Sequence, residues 1–178
     1  IVGSLRKGSY SKAIARVITS LMPEDFHMEM IEIGNLPLFN QDYEDNVDTP
    51  ESYTAFRQKI KEMDGFLFVT PEYNRSYPAA IKNALDVASR PYGEKCWSGK
   101  PGAIISVSPG KLSAFGANHH LRQVMVFLNI LMMQQPEAYI GNVDSIFDSE
   151  CNVKDDSTMN FLQSLAEAIA SWVKQFVK

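Results

Sequence analysis

The sequence is poor in the features that mark secreted, membrane-spanning and nucleic-acid-binding proteins. Only two cysteines, Cys96 and Cys151, occur in 178 residues, and their spacing fits neither a disulfide framework nor a metal site. This usage favours a reducing compartment, so we expect a cytoplasmic protein. No apolar run reaches the ~18 residues that a membrane span needs, so no membrane partner is expected. The net charge of −4 disfavours nucleic acid and anionic membranes as partners.

Internal repeats, low-complexity tracts and linkers are absent as well. A chain of 178 residues without such boundaries is expected to form one domain, residues 1–178, with a sizeable core. The sequence opens with Ile1-Val2-Gly3, which has the pattern of a strand end, so we expect further residues of the first strand before Ile1.

The few histidines do not form an evident metal site. His119 and His120 are neighbours on a predicted helix, so their rings point in different directions and make a poor ligand pair. We therefore expect no bound metal and a structural or interface role for both side chains.

What the sequence does contain is a regular alternation of buried strands and amphipathic helices. Strands are predicted at residues 1–2, 27–33, 66–69, 103–107 and 138–140, and helices at about 9–21, 51–63, 78–89, 115–132 and 157–176. This alternation predicts a parallel sheet with helices on both faces. Five strands suit the doubly wound, flavodoxin-like α/β fold with strand order 2-1-3-4-5.

The fourth predicted helix is apolar nearly all round between Val124 and Met133. A monomer would bury one face of such a helix, so we expect the rest, including Leu128 and Met132, to form a subunit contact. The alternative is a core helix that the fold covers completely.

The chain is organised around the stretch GFLFVTPEYNRS, residues 65–76. Its first half, Phe66 to Val69, is a short apolar run typical of a strand buried on both faces. Pro71 ends the strand because proline has no amide to give to a ladder. A polar and aromatic loop follows, at the edge of the sheet where open α/β folds bind ligands.

The loop from Gly3 to Ser11 is dense in hydroxyls and glycine and opens a helix. Its amides and the helix dipole favour an anion, and Ser4, Ser9, Ser11 and Arg6 add donors suited to phosphate. The loop lacks the lysine-hydroxyl ending of a triphosphate-binding loop and the pattern of a dinucleotide-binding loop. A monophosphate fits it; the alternative is a serine-capped helix with a solvated arginine.

Two later loops would lie beside the first in this strand order. They begin at residues 71–74 and 107–110, and together they offer a flat, partly aromatic slot next to the phosphate site. That shape suits a mononucleotide with a planar ring, and FMN is the ligand typical of this strand order. Taken singly, Glu72 is more often a surface carboxylate and Tyr73 a packing residue.

The segments GSLRKGSYS, TPEYNRSYPAAIKNALDVASR, SVSPG and HHLRQVMVFLN resemble the NADPH-dependent FMN reductase family, above all its bacterial quinone and chromate reductases. The resemblance covers almost the whole chain. It implies that the FMN phosphate is bound by the first loop, through Ser4, Leu5, Arg6, Ser9, Tyr10 and Ser11. It also implies that Pro71, Glu72, Tyr73 and Asn74 hold the ribityl chain and one ring edge, and that Val107, Ser108 and Gly110 approach the ring. Homodimers or homotetramers are typical of the family.

The resemblance implies an FMN-dependent NAD(P)H oxidoreductase. NAD(P)H would pass hydride to flavin N5 and leave, and a quinone, chromate, azo or nitro compound would then take its place in a ping-pong cycle. No protein side chain is expected to act as the catalytic acid or nucleophile, because flavin carries the chemistry. The alternatives are a flavodoxin-type electron carrier and a flavin-binding redox sensor.

The chain departs from the family's common pattern after the loop at 107–110. Ser113-Ala114 stands where a Gly-Gly pair is frequent, and Gly116 stands where an arginine is frequent. FMN binding is expected to persist, while the choice between NADPH and NADH and the choice of acceptor are left open.

Overall fold

The computed structural model describes residues 1–45, 48–94, 96–148 and 152–177. The described residues form seven helices: α1 (Tyr10–Leu21), α2 (Asp42–Asp45), α3 (Glu51–Glu62), α4 (Ala79–Val87), α5 (Phe115–Phe127), α6 (Val143–Ile146) and α7 (Asp156–Lys174). They also form four strands: β1 (Phe66–Thr70), β2 (Pro101–Val107), β3 (Leu131–Met132) and β4 (Ala138–Ile140). Cys151 and Val47, which the sequence places in loops, lie outside the described residues.

The strands form one parallel sheet around β2. β1 pairs with β2 from Phe66–Gly102 to Thr70–Ser106, and β4 pairs with the end of β2 through Val107–Ile140. The two-residue β3 pairs with the start of β2. Every residue of β1 and β2 is buried, as expected for strands covered on both faces.

The described residues form a four-stranded sheet, and the expected five-stranded order is not seen among them. The first predicted strand is a single parallel bridge from Val2 to Val69. Residues 27–33 form no strand, because among the described residues no neighbouring strand forms a hydrogen-bonded ladder with them. Their side chains still divide as in a strand: Met28 and Met30 pack on one side of the sheet, and Ile31 and Ile33 pack on the other.

Two apolar cores lie on the two faces of the sheet. On one face α3, α4 and α5 cover an aromatic group in which Phe66 and Trp97 lie 4.8 Å apart between ring centroids. On the other face α1 and α7 pack on the sheet and on each other. Cys96 is buried beside Trp97 at 3% exposure, and burial raises the pKa of its thiol.

Helix α5 is shorter than predicted. It ends at Phe127, because Asn129 adopts a left-handed conformation with φ of 55°, and the chain returns to the sheet as β3. Met132 is therefore a core residue at 8% exposure, and its prediction as part of a subunit contact is wrong. The exposed apolar side chains of this segment are Val126 and Phe127, at 79% and 86% exposure.

The long connection between residues 34 and 45 is fastened to the helices by two buried polar groups. Asn83 on α4 accepts from the Phe39 amide at 2.7 Å and donates to the carbonyl oxygens of Leu36 and Pro37. Arg57 on α3 forms a bidentate ion pair with Glu44, and both side chains are 8% exposed. These contacts fix the connection on α3, which precedes β1, and on α4, which follows it. Among the described helices, none combines the length and apolar character that crossing a membrane requires.

Candidate functional site

Three loops leave the same edge of the sheet. Val2 pairs with Val69, and Thr70 pairs with Ser106, so the segments after Val2, β1 and β2 all begin at the carboxyl ends of parallel neighbours. We call them the first loop (residues 3–9), the hairpin loop (residues 71–78) and the third loop (residues 108–114). This edge is where open α/β sheets bind ligands.

The first loop packs closely on the start of the hairpin loop. Gly3 donates its amide to the carbonyl oxygen of Val69 at 2.9 Å. A β-carbon at Gly3 would lie 2.6 Å from Ile81 Cδ1 and 3.1 Å from Pro71 Cδ, so glycine is needed for this close approach. Farther along, the half-exposed Leu5 lies over Gly34. The two loops are thus held in one arrangement.

The first loop presents donors that have no acceptor of their own. In the described part of the chain, nothing accepts a hydrogen bond from the backbone amides of residues 4–11. Ser4 and Ser11 are 5% and 2% exposed, yet no described residue bonds to either hydroxyl and neither oxygen is fully enclosed. A cradle of open amides and hydroxyls at the N-terminus of a helix suits a phosphate group.

The other predicted phosphate contacts surround this cradle. Ser9 caps α1, because its Oγ accepts from the Lys12 amide at 3.2 Å. Tyr10 begins the helix and is 38% exposed. Arg6 is exposed, and no carboxylate of the described residues forms an ion pair with it. Its guanidinium is therefore available for an anion.

The hairpin loop is a tight two-residue turn that the sequence analysis did not foresee. Tyr73 and Ser76 exchange backbone hydrogen bonds of 2.8 and 3.0 Å. The two residues between them, Asn74 and Arg75, both have positive φ, of 51° and 69°. That pattern is the type I′ turn, and the usual Asn-Gly signal for it is missing here. The turn leaves Tyr73 46% exposed at the sheet edge and Asn74 at its tip.

The third loop contains two more left-handed residues. Ser113 and Ala114 have φ of 53° and 58°, in the left-handed region that favours glycine. The Ser106 hydroxyl donates to the Ser113 carbonyl oxygen at 2.8 Å and holds the loop over the end of β2. Ser108 accepts the Gly110 amide on its Oγ at 3.0 Å. Val107 is 2% exposed, so only its backbone can approach a ligand.

The sequence analysis missed a contact between the hairpin loop and α5, the helix that follows the third loop. Glu72 does not extend into solvent: its Oε2 accepts from the Ala117 amide in the first turn of α5 at 3.0 Å. The partner lies 45 residues along the chain, so no local pattern could reveal it. Glu72, which the resemblance places among the FMN-binding residues, connects two walls of the site through this bond, and the alternative of a solvated surface carboxylate is wrong.

A second missed feature is an aromatic and polar cluster at the start of α5. Phe115 and His119 lie 4.1 Å apart between ring centroids, and Tyr139 lies beside both. The Tyr139 hydroxyl donates to Glu137 Oε1 at 2.7 Å and accepts from His119 Nε2 at 3.0 Å. Burial, strengthened by the bond to Glu137, raises the pKa of Tyr139 to about 12. His119, for which the sequence predicts a structural or interface role, is exposed and belongs to this cluster.

The three loops together fit the parts of FMN. The unbonded donors at residues 4–11 match a phosphate, and the hairpin and third loops form neighbouring edges for a ribityl chain and a planar ring. No group of three or more His, Cys, Asp or Glu side chains in the described ranges is placed to hold a metal ion.

Comparison with known proteins agrees with this geometry. Residues 1–145 match the family described as NADPH-dependent FMN reductase. A quinone reductase of Pseudomonas putida is 51% identical over 174 residues, covering 98% of this chain and 92% of that protein. A 2-hydroxy-1,4-benzoquinone reductase of Burkholderia sp is 47% identical over 174 residues, covering 98% of this chain and 94% of that protein. The structure of FerB, a flavoenzyme NAD(P)H:(acceptor) oxidoreductase from Paracoccus denitrificans, matches with a TM-score of 0.91 and 39% identity, covering 98% of this chain and 95% of that chain.

The matched region includes all three loops and every residue that the sequence analysis placed at the site. The fold is accordingly flavodoxin-like, with a parallel sheet between helices. The chain belongs to the NADPH-dependent FMN reductase family.

Proposed function

We propose that this chain is an FMN-dependent NAD(P)H oxidoreductase that passes two electrons to quinones by a ping-pong mechanism. The observation that carries the proposal is the cradle of unbonded amides and hydroxyls in the first loop, set beside the hairpin and third loops. Family membership makes the chain an oxidoreductase with FMN as its cofactor and NAD(P)H as co-substrate.

Each loop has its own part in binding. The backbone and side chains of Ser4, Leu5, Arg6, Ser9, Tyr10 and Ser11 hold the phosphate. Pro71, Glu72, Tyr73 and Asn74 hold the ribityl chain and one ring edge through backbone groups and the Asn74 amide. Val107, Ser108 and Gly110 approach the ring from the other side, since Gly110 has no side chain to keep the backbone away.

The protein contributes position and electrostatics to the reaction. Bound FMN supplies the hydride chemistry between NAD(P)H and the acceptor. Amides of the third loop would favour the negative charge that develops on the ring. Because flavin carries the hydride chemistry, the proposal requires no side chain of the protein as a catalytic acid or nucleophile.

The open edge supports successive use of one binding face. Tyr73, Leu112 and Phe115 are 46%, 61% and 53% exposed around it, which leaves space for a nicotinamide ring and then for a flat acceptor. Quinones are the first acceptors to test, because relatives that are 51% and 47% identical are named for quinone reduction. Chromate, azo and nitro compounds are further candidates.

The proposal also includes assembly, location and strand order. A single domain in a homodimer or homotetramer is expected, with the exposed Val126 and Phe127 in a subunit contact. A cytoplasmic location also stays a prediction. The full strand order 2-1-3-4-5 stays a prediction as well, and it is supported by residues 27–33, whose side chains alternate between the two cores as those of a sheet strand do.

Initial rates test the mechanism. We expect parallel double-reciprocal lines when NADPH is varied at several fixed concentrations of a benzoquinone, because the first product leaves before the acceptor binds. Intersecting lines would contradict the shared face. Bound FMN without any turnover of NADPH would instead point to a flavodoxin-type carrier or a redox sensor.

A further inference from the structure

Glu72 lies in the hairpin loop, but its side chain is directed at another element. It is 13% exposed, its Oε2 accepts from the Ala117 amide at 3.0 Å, and its Oε1 lies 3.5 Å from Arg75 Nη1. Ala117 belongs to the first turn of α5, where backbone amides have no acceptor within the helix. Both carboxylate oxygens are therefore engaged within the protein.

Helix α5 depends on this contact because it has no cap of its own. Its N-cap residue Ala114 is left-handed and makes no side-chain cap bond, and the first turn contains no acidic residue. The positive end of the helix dipole favours a carboxylate at this place. Among the described side chains, Glu72 alone bonds to an amide of this turn.

The contact between Glu72 and α5 depends on a glycine at position 116. A β-carbon at Gly116 would lie 3.0 Å from Glu72 Oε2 and 3.0 Å from the Arg75 carbonyl oxygen. Gly116 therefore lets both the carboxylate and the turn approach the helix. One helical turn after Gly116, His120 Nδ1 bonds to the Ser76 hydroxyl at 3.2 Å, so the hairpin loop is attached to α5 at two places.

We propose that Glu72 is a positioning residue for FMN: its carboxylate fixes the hairpin loop to α5 and so sets the spacing between the hairpin loop and the third loop. The third loop leads directly into α5, so a contact that holds the helix also holds that loop. The inference rests on the proposed FMN function. Glu72 acts through the backbone of the two loops, and Gly116 is needed for it to do so.

Three variants and a control test the proposal. Glu72→Ala removes the acceptor, Glu72→Gln keeps an acceptor without the charge, and Gly116→Ala pushes the carboxylate away while leaving it present. Glu24→Ala removes an exposed carboxylate for which no described residue forms an ion pair or side-chain hydrogen bond, and it serves as the matched control.

Two readouts are needed. The first is amide hydrogen exchange of Ala117 in the flavin-free protein, which should become about tenfold faster or more in Glu72→Ala and Gly116→Ala, because a bond to a charged acceptor is lost. The second is FMN affinity from quenching of flavin fluorescence, which should weaken by about tenfold in the same two variants, a usual size for coupling between neighbouring sites. Glu72→Gln should fall between these variants and the unmodified protein, and Glu24→Ala should change neither readout.

The outcomes separate the possibilities. Faster Ala117 exchange together with weaker FMN binding in both variants supports the positioning role. Weaker FMN binding in Glu72→Ala but not in Gly116→Ala, with Ala117 exchange faster in both, would mean that the carboxylate contacts FMN itself and would overturn the proposal. Unchanged FMN affinity in all variants overturns it while leaving the proposed function intact. Failure of the unmodified protein to bind FMN overturns both.

Discussion

Arg6 is the side chain on which the phosphate assignment depends most directly. It is exposed and has no ion-pair partner among the described residues, so its removal should cost little stability. We expect Arg6→Ala to weaken FMN binding by about 1.5–3 kcal/mol, the usual value of a hydrogen bond to a charged group. Flavin fluorescence titration measures this. The neighbouring Lys7→Ala is the control, and equal losses in both variants would mean that general charge, and not Arg6 itself, binds the phosphate.

Tyr139 gives a prediction about pH. Its pKa is raised to about 12 by burial and by its bond to Glu137, from an ordinary value of 10.0. The folded protein therefore holds this proton more tightly than the unfolded chain, so stability is fully present below pH 10 and falls as pH rises toward 12. Urea unfolding between pH 9 and 12 should show this fall, and Tyr139→Phe should reduce it. An identical pH dependence in both proteins would contradict the assignment.

At the level of single residues, the sequence predicts which side chains gather at the sheet edge but not how each is used. Ser4, Arg6 and Ser11 could be singled out because hydroxyls, a cation and a helix start occur together in one short loop. The role of Glu72 could not be read in this way, because its partner Ala117 is brought near only by the sheet.

At the level of elements, Ser113 predicts a gain in stability. A left-handed φ costs a non-glycine residue about 1–2 kcal/mol, and glycine's extra unfolded-state freedom recovers only part of that difference. Ser113→Gly should therefore stabilise the protein by about 0.5–1 kcal/mol in chemical denaturation. The control is Ser164→Gly in the middle of α7, which makes the same chemical change in a right-handed helix and should destabilise. If both variants lowered the free energy of unfolding, the claim that the backbone is strained at Ser113 would be contradicted.

The buried ion pair between Arg57 and Glu44 predicts a large loss. Glu44→Ala leaves a buried guanidinium whose one remaining hydrogen bond to a described residue is to the Val87 carbonyl oxygen, so we expect a cost of about 3–5 kcal/mol. The exposed pair on α4 is the comparison: Asp86→Ala, which frees Lys82, should cost less than about 1 kcal/mol. Urea denaturation measures both, and similar costs would mean that the Arg57 pair is effectively solvated.

Element boundaries were predictable where local signals agree with the fold. The last strand is found at residues 138–140 as expected, and α1 begins one residue after its serine cap. Residues 27–33 have a strand-like pattern, but a strand needs a hydrogen-bonded neighbour, and that is a property of the sheet. Likewise, the apolar run after Phe127 looked helical, yet Asn129 turns left-handed and sends Met132 into the core.

For the whole molecule, the exposed end of α5 predicts self-association. Phe127 is 86% exposed, so Phe127→Asp should leave the fold intact and lower the mass of the assembly in sedimentation. Tyr92→Asp changes an aromatic side chain that is 94% exposed elsewhere and should leave the mass unchanged. An unaltered mass in Phe127→Asp would place the subunit contact on another surface. Met132→Asp should instead unfold the protein, because it buries a charge.

The absorption spectrum of the purified protein, recorded before and after NADPH and then a benzoquinone, tests the whole proposal in one cuvette. We predict flavin bands that bleach when NADPH is added without oxygen and return when the quinone is added, because both reactants use the same FMN. Bound flavin that NADPH does not bleach would contradict the reductase function and favour a carrier or sensor. No flavin bands even after FMN is supplied would contradict the assignment of the three loops as its site.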